Sequence, residues 1–193
     1  MQLERATTFL LDKLTRELSP VFSYHNVAHT KDVIDAAEHI GRHEQIGESE
    51  STILLTAALF HDAGFLVAAD GHEAHSCHMA RTYLPHYLYN EQQTDQVCSL
   101  IMATKTPQQP KSHLEQIICD ADLDYLGRED FFDISEKLYQ EMTCLGTIAS
   151  HKEYLVLQLD FLREHQYFTR TARELRNEIK EKNLLKTKSF LYP

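Results

Sequence analysis

His25, His29, the adjacent pair His61 and Asp62, and Asp122 are the residues of this 193-residue chain whose types and spacing could do chemistry. His61 and Asp62 interrupt ILLTAALFHDAGFLV (Ile53 to Val67), the most apolar run of the sequence. An imidazole and a carboxylate buried there without partners would cost on the order of several kcal/mol, so something must compensate them, and a metal ion would do so. Helical spacing points further residues the same way. Stepping back by four from Val33 reaches His29 and then His25, while Asp122 lies four after Ile118 and eight after Leu114. Asp120 and Asp124, two positions away and about 200° around a helix, are expected to face elsewhere. A set of His29, His61, Asp62 and Asp122 mixes two imidazole nitrogens with two carboxylates. That mixture suits Mn, Fe, Co, Ni or Zn, with Mg also admitted, as one or two ions, and leaves coordination positions for water and a substrate oxygen. Water bound at such an open position becomes acidic enough to supply hydroxide near neutral pH, which is catalytic chemistry.

The elements that must position these residues read as helices almost throughout. Three- and four-residue apolar spacing predicts helices over about 2–18, 27–46 and 51–62, the last ended near Gly64 as a C-cap. Further helices are predicted over about 71–88, 92–103, 113–124, 130–144, 151–165 and 170–187, with a loop from Thr104 to Ser112 marked by two prolines. His25 falls at the entry turn of its helix. With 6 glycines, 5 prolines and no alternating strand pattern, repeat or linker, the economical reading is an all-α protein. Residues 1–188 are taken as one domain, with core motifs over 24–127, C-terminal helices over 130–188 and a loose tail over 189–193.

Composition limits the function. A hydrophobic content of 42% with 25% charged residues fits a globular protein, and no stretch reaches the ~18 apolar residues of a membrane span. The opening MQLERATTFLLDKLTREL carries acids that neither a signal nor a transit peptide favours. Cys77, Cys98, Cys119 and Cys144 are scattered without a CxxC pair, so a reducing cytoplasm is the expected location. A net charge of -10 argues against nonspecific nucleic-acid binding. The charge is uneven: residues 163–188 hold eight Lys or Arg against four Glu, a basic strip read as a solvated helix face. Twelve histidines spread along the chain favour metal chemistry.

YHNVAH (Tyr24 to His29), the His61-Asp62 pair and DADLDYLG (Asp120 to Gly127), together with GHEAHS (Gly71 to Ser76) and IMATKTPQQP (Ile101 to Pro110), resemble in order and separation the HD-domain metal-dependent phosphohydrolase superfamily, specifically its small single-domain bacterial-type members. The resemblance runs from about residue 3 to 168. It implies an all-α HD-type helical bundle with His29, His61, Asp62 and Asp122 as metal ligands between helices. It also implies His25 as the group that protonates the leaving oxygen, matching the superfamily's cyclic-nucleotide phosphodiesterases. The activity then expected is hydrolysis of a small phosphate ester or nucleotide by metal-activated water, with His25 and Asp62 catalytic. Such a reaction needs an aligned nucleophile, neutralised phosphoryl oxygens and a proton for the leaving group.

Other residues are weaker candidates. His72, opening a helix soon after the metal-bearing segment, is expected to touch a second metal or a substrate phosphate, and Lys105, at the start of the loop, to meet a phosphate as a point charge. His75 and His113 are, with His72, possible extra ligands for a second metal; solvent or packing roles are the default for His75 and His78, and Arg81 has a weaker claim on phosphate than Lys105. HEAH is no zincin motif, because HExxH would need histidine where Ser76 stands. Two rival readings remain at this level: a di-iron oxygenase of the same superfamily, which needs further inward ligands, and a metal-stabilised binding or signalling module without turnover. Nothing in the sequence names the substrate, the metal or the oligomeric state.

Overall fold

Several helices begin or stop where local chemistry dictates. The computed structural model describes residues 1–192; Pro193, the end of the expected tail, lies outside the described residues. Nine helices, three short 3₁₀ turns and no strand are present among them. They are α1 Leu3–Glu17, α2 Val27–His43, α3 Glu48–Phe60, α4 His72–Tyr83, α5 Glu91–Ala103, α6 His113–Asp122, α7 Phe131–Cys144, α8 His151–Glu164 and α9 Arg170–Leu191. No helix among the described residues is long and apolar enough to cross a membrane.

Side-chain caps set several starts. Asn26 accepts from the Ala28 N–H at 2.8 Å to open α2, so His25 precedes the helix in its entry turn. Ser112 and Glu115 close a reciprocal box at α6, as Asn90 and Gln93 do at α5. The 71–88 segment is two elements: α4 ends at Tyr83, and a 3₁₀ turn at Leu84–Tyr87 contains Pro85, which lacks the N–H a helix would need. The last helix runs on to Leu191.

The break after α3 departs from the sequence reading. Gly64 is not a left-handed C-cap; it sits in a 3₁₀ turn, Ala63–Leu66, pressed against the start of α4. A Cβ there would lie 1.9 Å from the His72 carbonyl oxygen, so close approach is what requires glycine. Ser76 fastens the same junction: its hydroxyl donates to the His61 carbonyl at 2.6 Å and accepts from the Gly64 N–H at 2.8 Å. One carbonyl at the helix end and one N–H of the turn that follows are thereby satisfied.

Two apolar clusters form. The larger runs through α1 to α6, with α3 at its centre: Ile53, Leu54, Ala57, Ala58, Leu59 and Phe60 are all buried in it. A smaller one gathers Tyr125, Leu126, Phe131 and Leu162 from the later half of the chain around Tyr24 from the turn before α2. α9 ties the halves together. Its N-cap region is held by buried Asp120, which accepts from Phe168 N, Thr169 N and Thr169 Oγ1 at 2.7–2.8 Å. Asp124 receives a two-pronged contact from Arg176 at 2.7 and 2.9 Å. The basic strip is therefore divided: Arg176 and Lys180 turn inward, while Lys182 and Arg170 pair with Glu178 and Glu174 on the surface.

Candidate metal centre

His29, one turn before Val33 on the inward stripe of α2, meets His61 and Asp62 at the end of α3 and Asp122 at the end of α6. His29 Nε2 lies 3.2 Å from His61 Nε2, 3.3 Å from Asp62 Oδ2 and 3.4 Å from Asp122 Oδ1. His61 Nε2 is 3.1 Å from Asp62 Oδ2 and 3.5 Å from Asp122 Oδ1. Among the described residues His29, His61 and Asp122 form one mutually close group, and Asp62 joins them through the two histidines.

These residues fit a metal ion. Donor atoms bound to one ion at about 2.1 Å stand roughly 3.0–3.4 Å from each other as neighbours in octahedral or tetrahedral arrangement, close to the spacing of the two imidazole nitrogens from each other and from both carboxylates. His61 Nδ1 is 2.8 Å from the Ala58 carbonyl, which fixes the proton on Nδ1 and leaves the Nε2 lone pair directed at the cluster. Asp62 Oδ2 is buried with no hydrogen-bond donor. A cation would satisfy that oxygen and separate two facing imidazole nitrogens at once. The electrostatics agree. Burial by itself would push the carboxyl of Asp122 up, yet the His29 and His61 rings beside it hold it at about 2, and the same two rings hold Asp62 well below the carboxylate range. Burial works to lower His29 and His61, but Asp62 and Asp122 outweigh it and raise both. The pocket is thus arranged for positive charge.

His72 approaches from α4. Its Nδ1 faces the Ala69 carbonyl at 3.1 Å and its Nε2 lies 3.4 Å from Asp62 Oδ1, so Asp62 turns one oxygen to the cluster and the other to His72. His25 stands near it, with ring centroids 6.3 Å apart, and Phe65 packs against both, its centroid 4.4 Å from His25 and 4.2 Å from His72, both stacked. Beneath His25, the buried Glu141 of α7 accepts from the Tyr24 and His25 N–H groups at 2.8 and 3.0 Å and from His25 Nδ1. Burial opposes ionisation of Glu141, but these donors bring its carboxyl below the ordinary value.

A cavity of about 260 Å³ opens from these residues. Tyr24, His25, Asp62, His72, Glu73 and Asp122 form one end; Leu123, Leu126, Leu138, Met142, Leu157 and Phe161 line the other. Lys105 does not line it. That lysine is exposed on a separate pocket with Ser99, Lys111 and Glu115, because the loop turns its flanking Thr104 and Thr106 toward the site instead. His75 and His78 also stay out of the cavity, His113 pairs with Glu44 at 3.4 Å, and Arg81 pairs with Asp95. Glu141, Phe65 and Ser76 were not evident as site residues from the sequence. Glu141 alone left a trace: it continues the inward spacing of Phe131, Ile134 and Leu138 along α7.

A family model for the HD domain matches residues 26–124, just over half of the chain and including His29, His61, Asp62 and Asp122. The chain belongs to the HD domain family. Its fold is similar to that of Bacillus subtilis YpgQ, solved in complex with ADP, at 20% identity over 98% of this chain and 95% of that one, with a TM-score of 0.68. It is also similar to a predicted HD superfamily hydrolase from an uncultured Thermotogales bacterium, at 18% identity over 97% of this chain and 90% of that one, with a TM-score of 0.62. These likenesses carry the helical fold. No curated protein matches the sequence.

Proposed function

We infer that this HD domain is a metal-dependent hydrolase of small phosphate esters, nucleotides among them, with His29, His61, Asp62 and Asp122 holding a divalent transition metal. The observation that carries this reading is the placing of two imidazole nitrogens 3.1–3.5 Å from each other and from two carboxylates beside a cavity, with one carboxylate oxygen otherwise unpartnered. When bound, such an ion supplies water that is acidic near neutral pH and neutralises charge on phosphoryl oxygens.

The chain's own residues supply the rest. Glu141 holds the His25 ring by Nδ1, so that Nε2 carries the transferable proton toward the cavity and the buried carboxylate supports the imidazolium. Phe65 fixes the planes of His25 and His72 by stacking on both. His72, beside the outer oxygen of Asp62, is placed to contact a substrate phosphate or a second ion. The ADP in the complex of the Bacillus protein makes a nucleotide a reasonable first substrate to try.

Phosphate release from nucleotides and small phosphoesters, with Mn²⁺, Co²⁺, Ni²⁺ or Fe²⁺ added and Asp62→Ala in parallel, tests the reading. Release by the wild type alone is the expected outcome; silence across the panel with metal bound would remove it. One observation favours a second reading: Asp62 offers an oxygen on each side, toward His29/His61 and toward His72, as a two-ion site of a di-iron oxygenase would require. Oxygen consumption by the iron-loaded, reduced protein would select that reading.

A further inference from the structure

The far end of the cavity contains a polar atom that the chemistry above does not use. Gln158 of α8 lines the cavity and is only 7% exposed, and its Oε1 has no hydrogen-bond partner. The nitrogen of this amide is engaged by its neighbours: Gln158 Nε2 donates to the Tyr154 hydroxyl at 3.0 Å and also to Ser135 Oγ. Those two hydroxyls also contact each other at 2.9 Å, and Tyr154 reaches the Ser135 carbonyl at 2.8 Å. With the nitrogen so engaged, Oε1 is an acceptor in a place where leaving it unpaired is costly.

The surroundings describe what would pair with it. Leu126, Leu138, Met142, Leu157 and Phe161 make this end apolar, and no Lys or Arg among the described residues lines the cavity. A leaving group bearing further phosphates would find no counter-charge there, whereas an apolar ring with one hydrogen-bond donor would satisfy both the wall and the amide. We propose that Gln158 is a specificity-determining residue, its Oε1 accepting a hydrogen bond from an N–H or O–H of an uncharged, largely apolar leaving group seated between α7 and α8. The proposal rests on the hydrolase reading for the identity of the reaction, but the binding preference can be measured without turnover.

Two non-hydrolysable probes of nearly equal shape provide the test: (3-methylcarbamoyl)phenylphosphonate, which carries the N–H, and the corresponding methyl ester, which replaces it with an oxygen. Calorimetry on the Mn²⁺-loaded full chain is expected to give about tenfold tighter binding of the amide probe. In Gln158→Met that preference falls to near one while the ester probe binds as before. Equal affinities in the wild type, no binding of either probe, or a preference that survives in Gln158→Met would each overturn the proposal. If Gln158→Met does not fold, Ser135→Ala, which frees the amide to rotate, should reduce the preference instead, and an unchanged preference there counts against the assignment. Phosphate release from the matching aryl phosphates reports on the hydrolase reading separately: a tenfold binding preference without turnover supports Gln158 and removes the hydrolase.

Discussion

At one end of the cavity the imidazoles of His29 and His61 lie 3.1–3.5 Å from carboxylate oxygens of both Asp62 and Asp122; at the other, leucines, a methionine and a phenylalanine surround a neutral amide. The first end is built on charge that the fold alone leaves incompletely satisfied, and the second on apolar contact with one spare acceptor. Their supports differ as well. Helix ends in the larger apolar cluster hold the charged end, so its geometry depends on where α3 and α6 stop. The apolar end is carried by side chains in the middle of α7 and α8 and by the turn after α6. Metal dependence should therefore belong to one end and leaving-group preference to the other, and the two should be separable by mutation.

The sharpest break is made at the charged end. Asp62→Ala or His61→Ala is expected to lose bound metal and to reduce turnover by on the order of a thousandfold or more, the scale of several kcal/mol of transition-state stabilisation. His25→Ala should keep its metal and lose about 10²- to 10⁴-fold in kcat, as removal of a general acid does. Metal content measured by mass spectrometry beside kcat distinguishes the two. Loss of metal in His25→Ala would place that histidine among the ligands.

The next contrast lies within five residues. Asp120→Ala leaves Phe168 N, Thr169 N and Thr169 Oγ1 without their buried acceptor. It should cost about 3 kcal/mol, lowering Tm by roughly 6 to 12 °C, while metal bound per folded chain stays constant. Asp122→Ala should do the reverse, losing metal with a smaller change in Tm. Calorimetric melting and metal analysis of the two variants would show whether the alternate aspartates of DADLD divide as anchor and ligand.

The opposite directions of Asp120 and Asp122 were legible in the sequence, because two positions along a helix reverse the direction of a side chain. His29 and Asp122 were legible for the same reason, each continuing an apolar stripe that predicted the direction of the polar group. Helix positions were readable too, since caps such as Asn26 and Ser112 are local signals. What could not be read depended on contacts between distant segments. Gly64 looks like a C-cap until the His72 carbonyl is found against it, and Lys105 looks like a phosphate ligand until the loop turns it away from the cavity. Glu141 is 116 residues from His25, and only its inward place on α7 hinted that a buried partner awaited it.

Glu141→Gln refines the comparison by acting on the wall that joins the two ends. The variant keeps the shape but weakens the hold on His25, and kcat is expected to fall about tenfold with metal retained. It should also change the acid limb of stability. The folded-state pKa of Glu141 lies below its unfolded value, so its ionised form contributes stability that is fully present above the unfolded value near ~4.3 and is lost as pH falls through the folded value. Glu141→Gln should therefore show a shallower loss of Tm below about pH 4.5 than the wild type. Parallel slopes in the two proteins would mean that the contact with His25 does not favour the carboxylate.

The smallest effect belongs to Lys105. Its ammonium is exposed on a separate pocket between the ends of α5 and α6, and solvent there screens a charge that does not reach the cavity. Lys105→Ala is expected to leave kcat/KM within about twofold and Tm nearly unchanged, as for most surface substitutions. The comparison of the two ends gives this near-neutral result its value. If phosphate charge is met wholly at the metal end, removing a loop cation changes neither KM nor its dependence on salt. A rise of KM by tenfold or more, suppressed by added salt, would instead mean that the 104–112 loop brings Lys105 over the substrate, and a third, cationic wall would have to be added to the two described.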